Sequence, residues 1–213
     1  MSYLRESPVP WSEANARTME LQGMRVPARL AEEQAKLDSV ALADLSCLRR
    51  SGLKGPSAAS WLQAQGIAVP DAANRWADLP GGGVIARLGR SEFFLEDATG
   101  GDAAQRVKAA LGTGAEGAYP VIRQDAGLAL LGPRGNELLV QACNVNFEAI
   151  AEREAVMTQM VGVSILAIRR DLGPLHCLRL WCDPTFAPYL WETLAGIAAE
   201  LGGGVVGSEG LLS

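Results

Sequence analysis

Lysine and histidine are scarce in this chain of 213 residues, which contains three lysines and a single histidine, His176. Acidic residues outnumber basic ones by 24 to 19, so the formal net charge is −5. Binding to the phosphate backbone of a nucleic acid requires a basic face or stripe, and no cluster of lysine and arginine in the sequence could supply one. The composition therefore argues against a nucleic-acid-binding protein.

Long apolar runs are also lacking. The longest, 161–168, has eight residues including Ser164, whereas a membrane-spanning helix needs about 20. The N-terminal segment carries Arg5, Glu6, Glu13 and Arg17 in place of the apolar core of a secretory signal. We therefore expect a cytoplasmic protein that does not enter a membrane.

The four cysteines do not form a recognisable metal or disulfide framework, because no Cys-x-x-Cys pair occurs among them. We expect reduced thiols and no metal site. A catalytic triad or a Cys-His pair would have to use His176, but neighbouring residues of a strand point to opposite faces, so His176 and Cys177 cannot pair directly. An unrelated α+β enzyme that uses His176 and a nearby carboxylate remains a third possibility for the function.

Strand and helix patterns follow one another in a similar order twice along the chain. The pattern predicts an α+β fold of two ferredoxin-like-type half-domains, each an antiparallel sheet with helices on one face. The predicted boundaries are an extended N-terminal arm over 1–27, a first half-domain over 28–114 and a second over 115–213. Within the first half-domain, a helix is expected from about 28 to 37. Tyr3 and Trp11 in the arm are candidate anchors for docking on a partner, since aromatic residues dominate interface anchors.

Two glycine-rich stretches, 81–86 and 202–207, satisfy the dinucleotide-binding pattern on paper. That motif works only where a strand leads through the glycines into a helix whose N-terminus faces the pyrophosphate. The stretch 81–86 precedes a strand, and the stretch 202–207 follows a helix. The glycines therefore indicate turns, and a hairpin is predicted from 84–88 and 92–96, joined by Gly89-Arg90-Ser91.

Four blocks of the sequence, in order, resemble the aminomethyltransferase (T-protein) family of the glycine cleavage system. They are ALADLSCLRRSGLKGPSAASWLQ (41–63), GGGVIARL (81–88), LALLGPRGNELL (128–139) and CLRLWCDPTFAPYLWETLAGIAAELGGGVVG (177–207). The resemblance implies the folate-binding-domain fold of that family, without the C-terminal barrel that full-length aminomethyltransferases carry. A chain of this length resembles the gamma subunit of heterotetrameric sarcosine oxidase.

The resemblance also shows where this chain departs from the family's chemistry. The family motif GGVIDDL presents a carboxylate toward folate, and the matching positions here are Ala86 and Arg87. A methyl group cannot move a proton, and a guanidinium cannot accept one. A second motif, TGYTGExGFE, whose Glu holds the pterin ring, aligns with 169–181, where Arg169 or Arg170 and the following strand are retained but that Glu is missing.

The favoured interpretation is therefore a non-catalytic gamma-type subunit of a sarcosine-oxidase-like complex that oxidatively demethylates an N-methyl amino acid. By resemblance, tetrahydrofolate, FAD, FMN and NAD would be bound by partner chains, above all a larger flavin- and folate-binding alpha-type subunit, and none by this chain. The alternative is a stand-alone tetrahydrofolate-binding, aminomethyltransferase-like protein. For contacts with an anion or a partner, the candidate residues are Arg87, Arg169 and Arg170.

Overall fold

The computed structural model describes residues 4–11 and 16–212. The chain divides into two compact units that interleave along the sequence. Unit 1 is built from residues up to Cys47, from Asp125–Glu152 and from Val156 onward, and unit 2 from Leu48–Gln124 and Arg153–Ala155. These units differ from the consecutive half-domains 28–114 and 115–213 predicted from the sequence, because the strand at 41–44 joins the sheet formed by the later part of the chain.

Unit 2 contains an open five-stranded antiparallel sheet in the order β5-β6-β7-β4-β8. Two helices cover one face of this sheet, and their apolar residues form one core with Leu53, Ile85, Phe93 and Leu95 of the strands. The elements of unit 2 are β4 (Arg50–Lys54), α2 (Ala58–Ala64), β5 (Arg75–Asp78), β6 (Val84–Arg87), β7 (Glu92–Glu96), α3 (Ala103–Gly112) and β8 (Tyr119–Val121).

Unit 1 contains a six-stranded sheet in the order β10-β11-β12-β9-β3-β13 and a separate two-stranded hairpin. Its central strands β9 and β12 are buried along their whole length, which explains their almost continuous apolar sequence. The elements of unit 1 are β1 (Arg17–Leu21), β2 (Met24–Arg29), α1 (Glu33–Leu37), β3 (Ala41–Asp44), β9 (Ala126–Leu131), α4 (Gly135–Ala142), β10 (Ala155–Met160), β11 (Val163–Arg169), β12 (Cys177–Cys182), α5 (Ala187–Glu200) and β13 (Gly204–Val205), with short 3₁₀ turns at Phe147–Ala149 and Glu209–Leu211.

The two units repeat one order of elements: strand, helix, three strands, helix, strand. In unit 2 the order runs from β4 to β8, and in unit 1 from β9 to β13. In each unit the three consecutive strands lie in sequence on one side of the first strand, and the last strand lies on its other side. In unit 1, β3 is inserted between the first and last strands of the repeat. The predicted α+β class with antiparallel sheets is confirmed, and the internal repeat is visible in the topology.

Two local predictions differ from the structure. The segment predicted as an extended arm contains the hairpin β1–β2, which turns at Gln22-Gly23, where both residues have positive φ. The helix expected from about 28 is limited to Glu33–Leu37, because the preceding residues up to Arg29 belong to β2. Pro27 lies in β2 of this two-stranded hairpin, where a missing N–H is tolerated. No helix of the described residues is long and apolar enough to cross a membrane.

Candidate functional site

The triple glycine forms the turn between β5 and β6. Gly81 and Gly82 have φ of 81° and 89°, and the turn is closed by a hydrogen bond from the Leu79 N–H to the Gly83 carbonyl at 2.8 Å. A Cβ at Gly83 would lie 2.4 Å from the Glu96 carbonyl oxygen, so the close approach of β7 also requires glycine there. The chain enters a strand after this turn, and a phosphate-binding helix N-terminus is not formed at this point.

Ala86 lies in the middle of β6, at the first position where the aminomethyltransferase motif has a carboxylate. Its cross-strand partners are Trp76 on β5 and Phe94 on β7. All three residues are buried, and Ala86 is only 1% exposed. The position therefore presents a methyl group between two aromatic residues, with no acidic or basic atom of its own.

Arg87, the second of these positions, binds the main chain around it. Its guanidinium donates to the carbonyls of Asp71 at 2.9 Å, Pro70 at 3.1 Å and Arg90 at 2.8 Å, and more weakly to that of Gly89 at 3.4 Å. The group also lies 5.6 Å from the centre of the Phe93 ring. Four of the five N–H donors of an arginine are thereby engaged, so Arg87 holds the hairpin to the preceding loop. Arg87 was predicted to contact an anion, but only one of its N–H donors is left for such a contact.

Arg169 is the last residue of β11, and Arg170 follows it; the two residues have different surroundings. Arg169 is paired with Leu178 of β12, which belongs to the core beneath α4 and α5, so the Arg169 side chain lies on the helix-covered face. The main-chain N–H of Arg170 donates to the Cys177 carbonyl at 2.9 Å. Arg169 lines a cavity of about 320 Å³ in unit 1, and Arg170 does not.

A tight turn brings charged residues together beside this cavity. Leu172 and Leu175 exchange two main-chain hydrogen bonds across Gly173-Pro174, which places Asp171 opposite His176. One oxygen of Asp171 accepts from the Cys177 N–H at 3.0 Å, and the other from the Arg169 guanidinium at 3.2 Å. The Nδ1 atom of His176 is 3.5 Å from that second oxygen. The sequence offered His176 a possible carboxylate partner, and the structure identifies it as Asp171.

The environment of this turn alters the acidity of two groups. Burial alone would raise the pKa of Asp171, but the hydrogen bond from the Cys177 N–H and the nearby Arg169 outweigh it, so the pKa is lowered and the carboxylate is charged. Burial raises the pKa of the Cys177 thiol to about 11. The thiolate that a cysteine nucleophile requires is therefore absent near neutral pH.

Of the two aromatic residues proposed as anchors, Trp11 lies within the described residues. Trp11 is partly buried and packs against the core of unit 1, within its own chain. Tyr3 lies outside the described residues. The four cysteines are buried thiols, and the part of the chain that the structure describes has no group of three or more potential metal ligands.

Two buried acidic groups of unit 2 have roles that the sequence did not reveal. Glu96 forms an ion pair with Arg50 at 2.7 Å, and both side chains are less than 5% exposed. Asp97 accepts hydrogen bonds from the N–H groups of Ala104 at 2.7 Å and Gln105 at 3.2 Å, and so caps helix α3. Asp102, which immediately precedes the first turn of this helix, pairs its side chain with Arg106. The Arg50–Glu96 contact joins residues far apart in sequence, and no local pattern signals it.

Comparison with known proteins gives similarity in structure only. A scan against models of protein families and a search of curated proteins each found no match. Among solved structures, the glycine cleavage system aminomethyltransferase T from Bartonella henselae is similar with a TM-score of 0.71 and 19% sequence identity. The match covers 92% of this chain and 57% of that one, so this chain spans little more than half of the aminomethyltransferase.

A second similar structure is a chain of the heterotetrameric sarcosine oxidase from Corynebacterium sp. U-96, solved in complex with pyrrole 2-carboxylate. Here the TM-score is 0.66 and the identity 20%, and the match covers 81% of this chain and 91% of that one. At such identities the likeness concerns the fold, and in this respect the expectation from the four sequence blocks is confirmed. The chain has the aminomethyltransferase-like α+β fold, which is found both in a glycine cleavage T protein and in a subunit of a sarcosine oxidase.

Proposed function

We propose that this protein is a non-catalytic gamma-type subunit of a sarcosine-oxidase-like complex that oxidatively demethylates an N-methyl amino acid in the cytoplasm. The proposal rests on the residues found at the two hairpin positions where the aminomethyltransferase motif has carboxylates. Ala86 is a buried methyl group between Trp76 and Phe94, and Arg87 is bound to main-chain carbonyls. Such positions supply neither a proton acceptor nor a negative charge to a folate-borne methylene group.

Structural similarity supports the same proposal. The match to the sarcosine oxidase chain covers 81% of this chain with a TM-score of 0.66. Exposed apolar side chains occur close together in the sequence at two places, where a partner could bury them. They are Tyr119 and Ile122 at the edge strand β8, and Phe186 and Tyr189 at the start of α5.

In this proposal, the chemistry takes place on partner chains. A larger alpha-type subunit would bind flavin and tetrahydrofolate. Between them, the partner chains would bind FAD, FMN and NAD. The role of this chain would be to bury part of the alpha-type subunit and to complete the assembly. It would contribute no residue to the transfer of the methylene group.

Co-expression tests the proposal. The chain should be produced with a tag, alone and together with any large flavoprotein that a neighbouring gene encodes. We expect a yellow complex to co-purify on the tag and to elute as one species in size-exclusion chromatography. A chain that elutes as a colourless monomer in the presence of that flavoprotein would refute the proposal.

Calorimetry with tetrahydrofolate on the isolated chain separates the alternative. A stand-alone folate-binding protein should bind with micromolar affinity, whereas the proposed subunit should show no such binding. The Ala86→Asp variant is a useful comparison because it returns a carboxylate to the hairpin. If wild type binds the folate tightly, the loss of the family's carboxylate has not removed the ligand, and the alternative function is favoured.

A further inference from the structure

We propose that the outward face of helix α5 is a docking surface for a helix of a partner protein, one that carries lysine or arginine beside its apolar side chains. The surface consists of the N-cap residue Phe186 and of Tyr189, Glu192 and Gly196, and we call it the α5 stripe. It lies entirely within unit 1. The inference deepens the proposed function by naming a surface, and only the identity of the partner rests on that function.

The spacing of the α5 stripe follows one face of the helix. Its members are three, three and four residues apart, so they lie side by side along α5, and all of them are exposed. Phe186 and Tyr189 are each 55% exposed, so two aromatic side chains are neighbours on the surface, and aromatic residues are the usual anchors of protein interfaces. The opposite face of α5 packs into the core of unit 1 through Ala187, Leu190, Trp191, Leu194 and Ala198.

Gly196 gives a second, independent indication of a partner. It lies inside a helix of 14 residues, where glycine is less stable than alanine because it loses more backbone freedom. Its φ is not positive, and beyond the adjoining helix backbone an added Cβ would meet no atom of the described chain within 4 Å. The packing of this chain therefore does not require glycine at position 196. A glycine on the outside of a helix lets the main chain of a second helix come close.

The charges around the aromatic pair select the chemistry of the partner. In the range 183–200 the charged residues are Asp183, Glu192 and Glu200, and all three are acidic. Asp183 precedes Phe186 by three residues and Glu192 follows Tyr189 by three, so a carboxylate flanks the aromatic pair on each side along the helix. Basic side chains on a partner would complement these charges and fix its orientation.

A helix of a different protein fits this surface better than a strand or a second copy of this chain. The main-chain groups along the side of a helix are bonded within it, so an added strand would find no hydrogen-bond partners on α5. A second copy docked symmetrically would bring the same acidic residues against one another. A helix with apolar residues between lysines or arginines meets both the aromatic pair and the carboxylates, and its backbone can approach at Gly196.

Fluorescence anisotropy tests this surface on the full-length chain with two labelled peptides. The probe is a helical peptide of about 14 residues, with leucine on one face and lysine on the other. The matched peptide has glutamate in place of every lysine. We expect the lysine peptide to bind with a dissociation constant of about 100 μM or below, and the glutamate peptide to bind at least about tenfold more weakly.

Two pairs of variants locate the binding. Tyr189→Ser should weaken binding of the lysine peptide by about tenfold, whereas Tyr119→Ser should not change it, although the two tyrosines are 55% and 56% exposed. Gly196→Gln should raise Tm by about 1–3 °C and yet weaken binding by about tenfold or more, so misfolding could not explain the loss. The control Gly112→Gln alters an exposed glycine of α3, whose added Cβ would also meet no atom within 4 Å, and should leave binding unchanged.

Co-purification with the flavoprotein separates this inference from the proposed function. Tyr189→Ser and Gly196→Gln should lose the complex that wild type and Tyr119→Ser form. If both stripe variants join it as wild type does, the inference is wrong and the proposed function stands. If wild type forms no complex, the proposed function is wrong and the peptide titration decides the inference.

Three results of the peptide experiments would overturn the inference. They are failure of the lysine peptide to bind wild type, unchanged binding by Tyr189→Ser and Gly196→Gln, and a dimer of the isolated chain that Tyr189→Ser separates in size-exclusion chromatography. The last result would assign the α5 stripe to a second copy of this chain.

Discussion

Replacing Arg87 by methionine tests whether this residue holds the hairpin or binds a ligand. Methionine retains an apolar stem but removes the donors to the carbonyls of Pro70, Asp71 and Arg90, which lie 2.8–3.1 Å from the guanidinium. These contacts are partly exposed to solvent, so we assign about 0.5–1 kcal/mol to each, below the range for charged hydrogen bonds. The lost approach to the Phe93 ring adds about 0.5 kcal/mol.

The expected loss in the free energy of unfolding is therefore about 2–3.5 kcal/mol. For a chain of this size, it corresponds to a decrease in Tm of about 5–10 °C. Urea unfolding followed by tryptophan fluorescence measures the first quantity, and calorimetry the second. The control is Arg106→Met, which removes an exposed i, i+4 pair with Asp102 and should cost less than about 0.5 kcal/mol.

The structural role also predicts that, at temperatures below the Tm of the variant, Arg87→Met still assembles with the proposed flavoprotein partner. If Arg87→Met unfolds like wild type but no longer joins the complex, the argument from the four carbonyls is wrong. Arg87 would then be a partner-binding residue, as the sequence alone suggested.

Four further predictions concern buried groups and the backbone. Arg50→Met should destabilise unit 2 by about 3–5 kcal/mol in urea unfolding, because the buried Glu96 loses its ion pair with Arg50. Adding Glu96→Leu should recover most of this loss. Equal stability of the single and double variants would contradict the prediction. Asp97→Ala should cost about 1–3 kcal/mol through two uncapped N–H groups of α3. Burial raises the pKa of Asp97 above its ordinary 3.8, so the folded state favours the protonated acid. Wild type should therefore lose stability relative to Asp97→Asn as the pH rises through the raised pKa of the folded state. A series of unfolding curves at different pH values measures this, and the opposite trend would refute burial as the cause. The Cys177 thiol, with its pKa of about 11, should not react with a disulfide reagent at pH 8 unless urea is added. Val161 has a φ of 44° in the turn between β10 and β11, which a β-branched residue adopts under strain, so Val161→Asn should raise Tm by about 2–4 °C.

Local patterns of the sequence were sufficient for most strands and helices. The glycines at 81–83 predicted a turn before a hairpin, and the structure has that hairpin at Val84–Arg87 and Glu92–Glu96. The continuous apolar run in β9 is typical of a buried strand, and β9 is buried along its whole length. Such features depend on residues a few positions apart, whose spacing decides turns and buried faces before any distant contact forms.

The candidate sites depended on contacts that no local pattern contains. The sequence predicted that Arg87 contacts an anion or a partner, but its guanidinium donates hydrogen bonds to main-chain carbonyls 16 and 17 residues away. It gave His176 no definite partner, and a turn at Gly173-Pro174 brings Asp171 beside it.

The sequence by itself determined the fold class, the hairpin after the triple glycine and the loss of the carboxylate at position 86, because each is fixed by residue identity or by short-range periodicity. Tertiary structure decided how β3 joins the later sheet, which arginine faces the cavity and which acid caps α3. These outcomes depend on the free energy of packing segments that are far apart in the sequence, so no single stretch of the chain determines them.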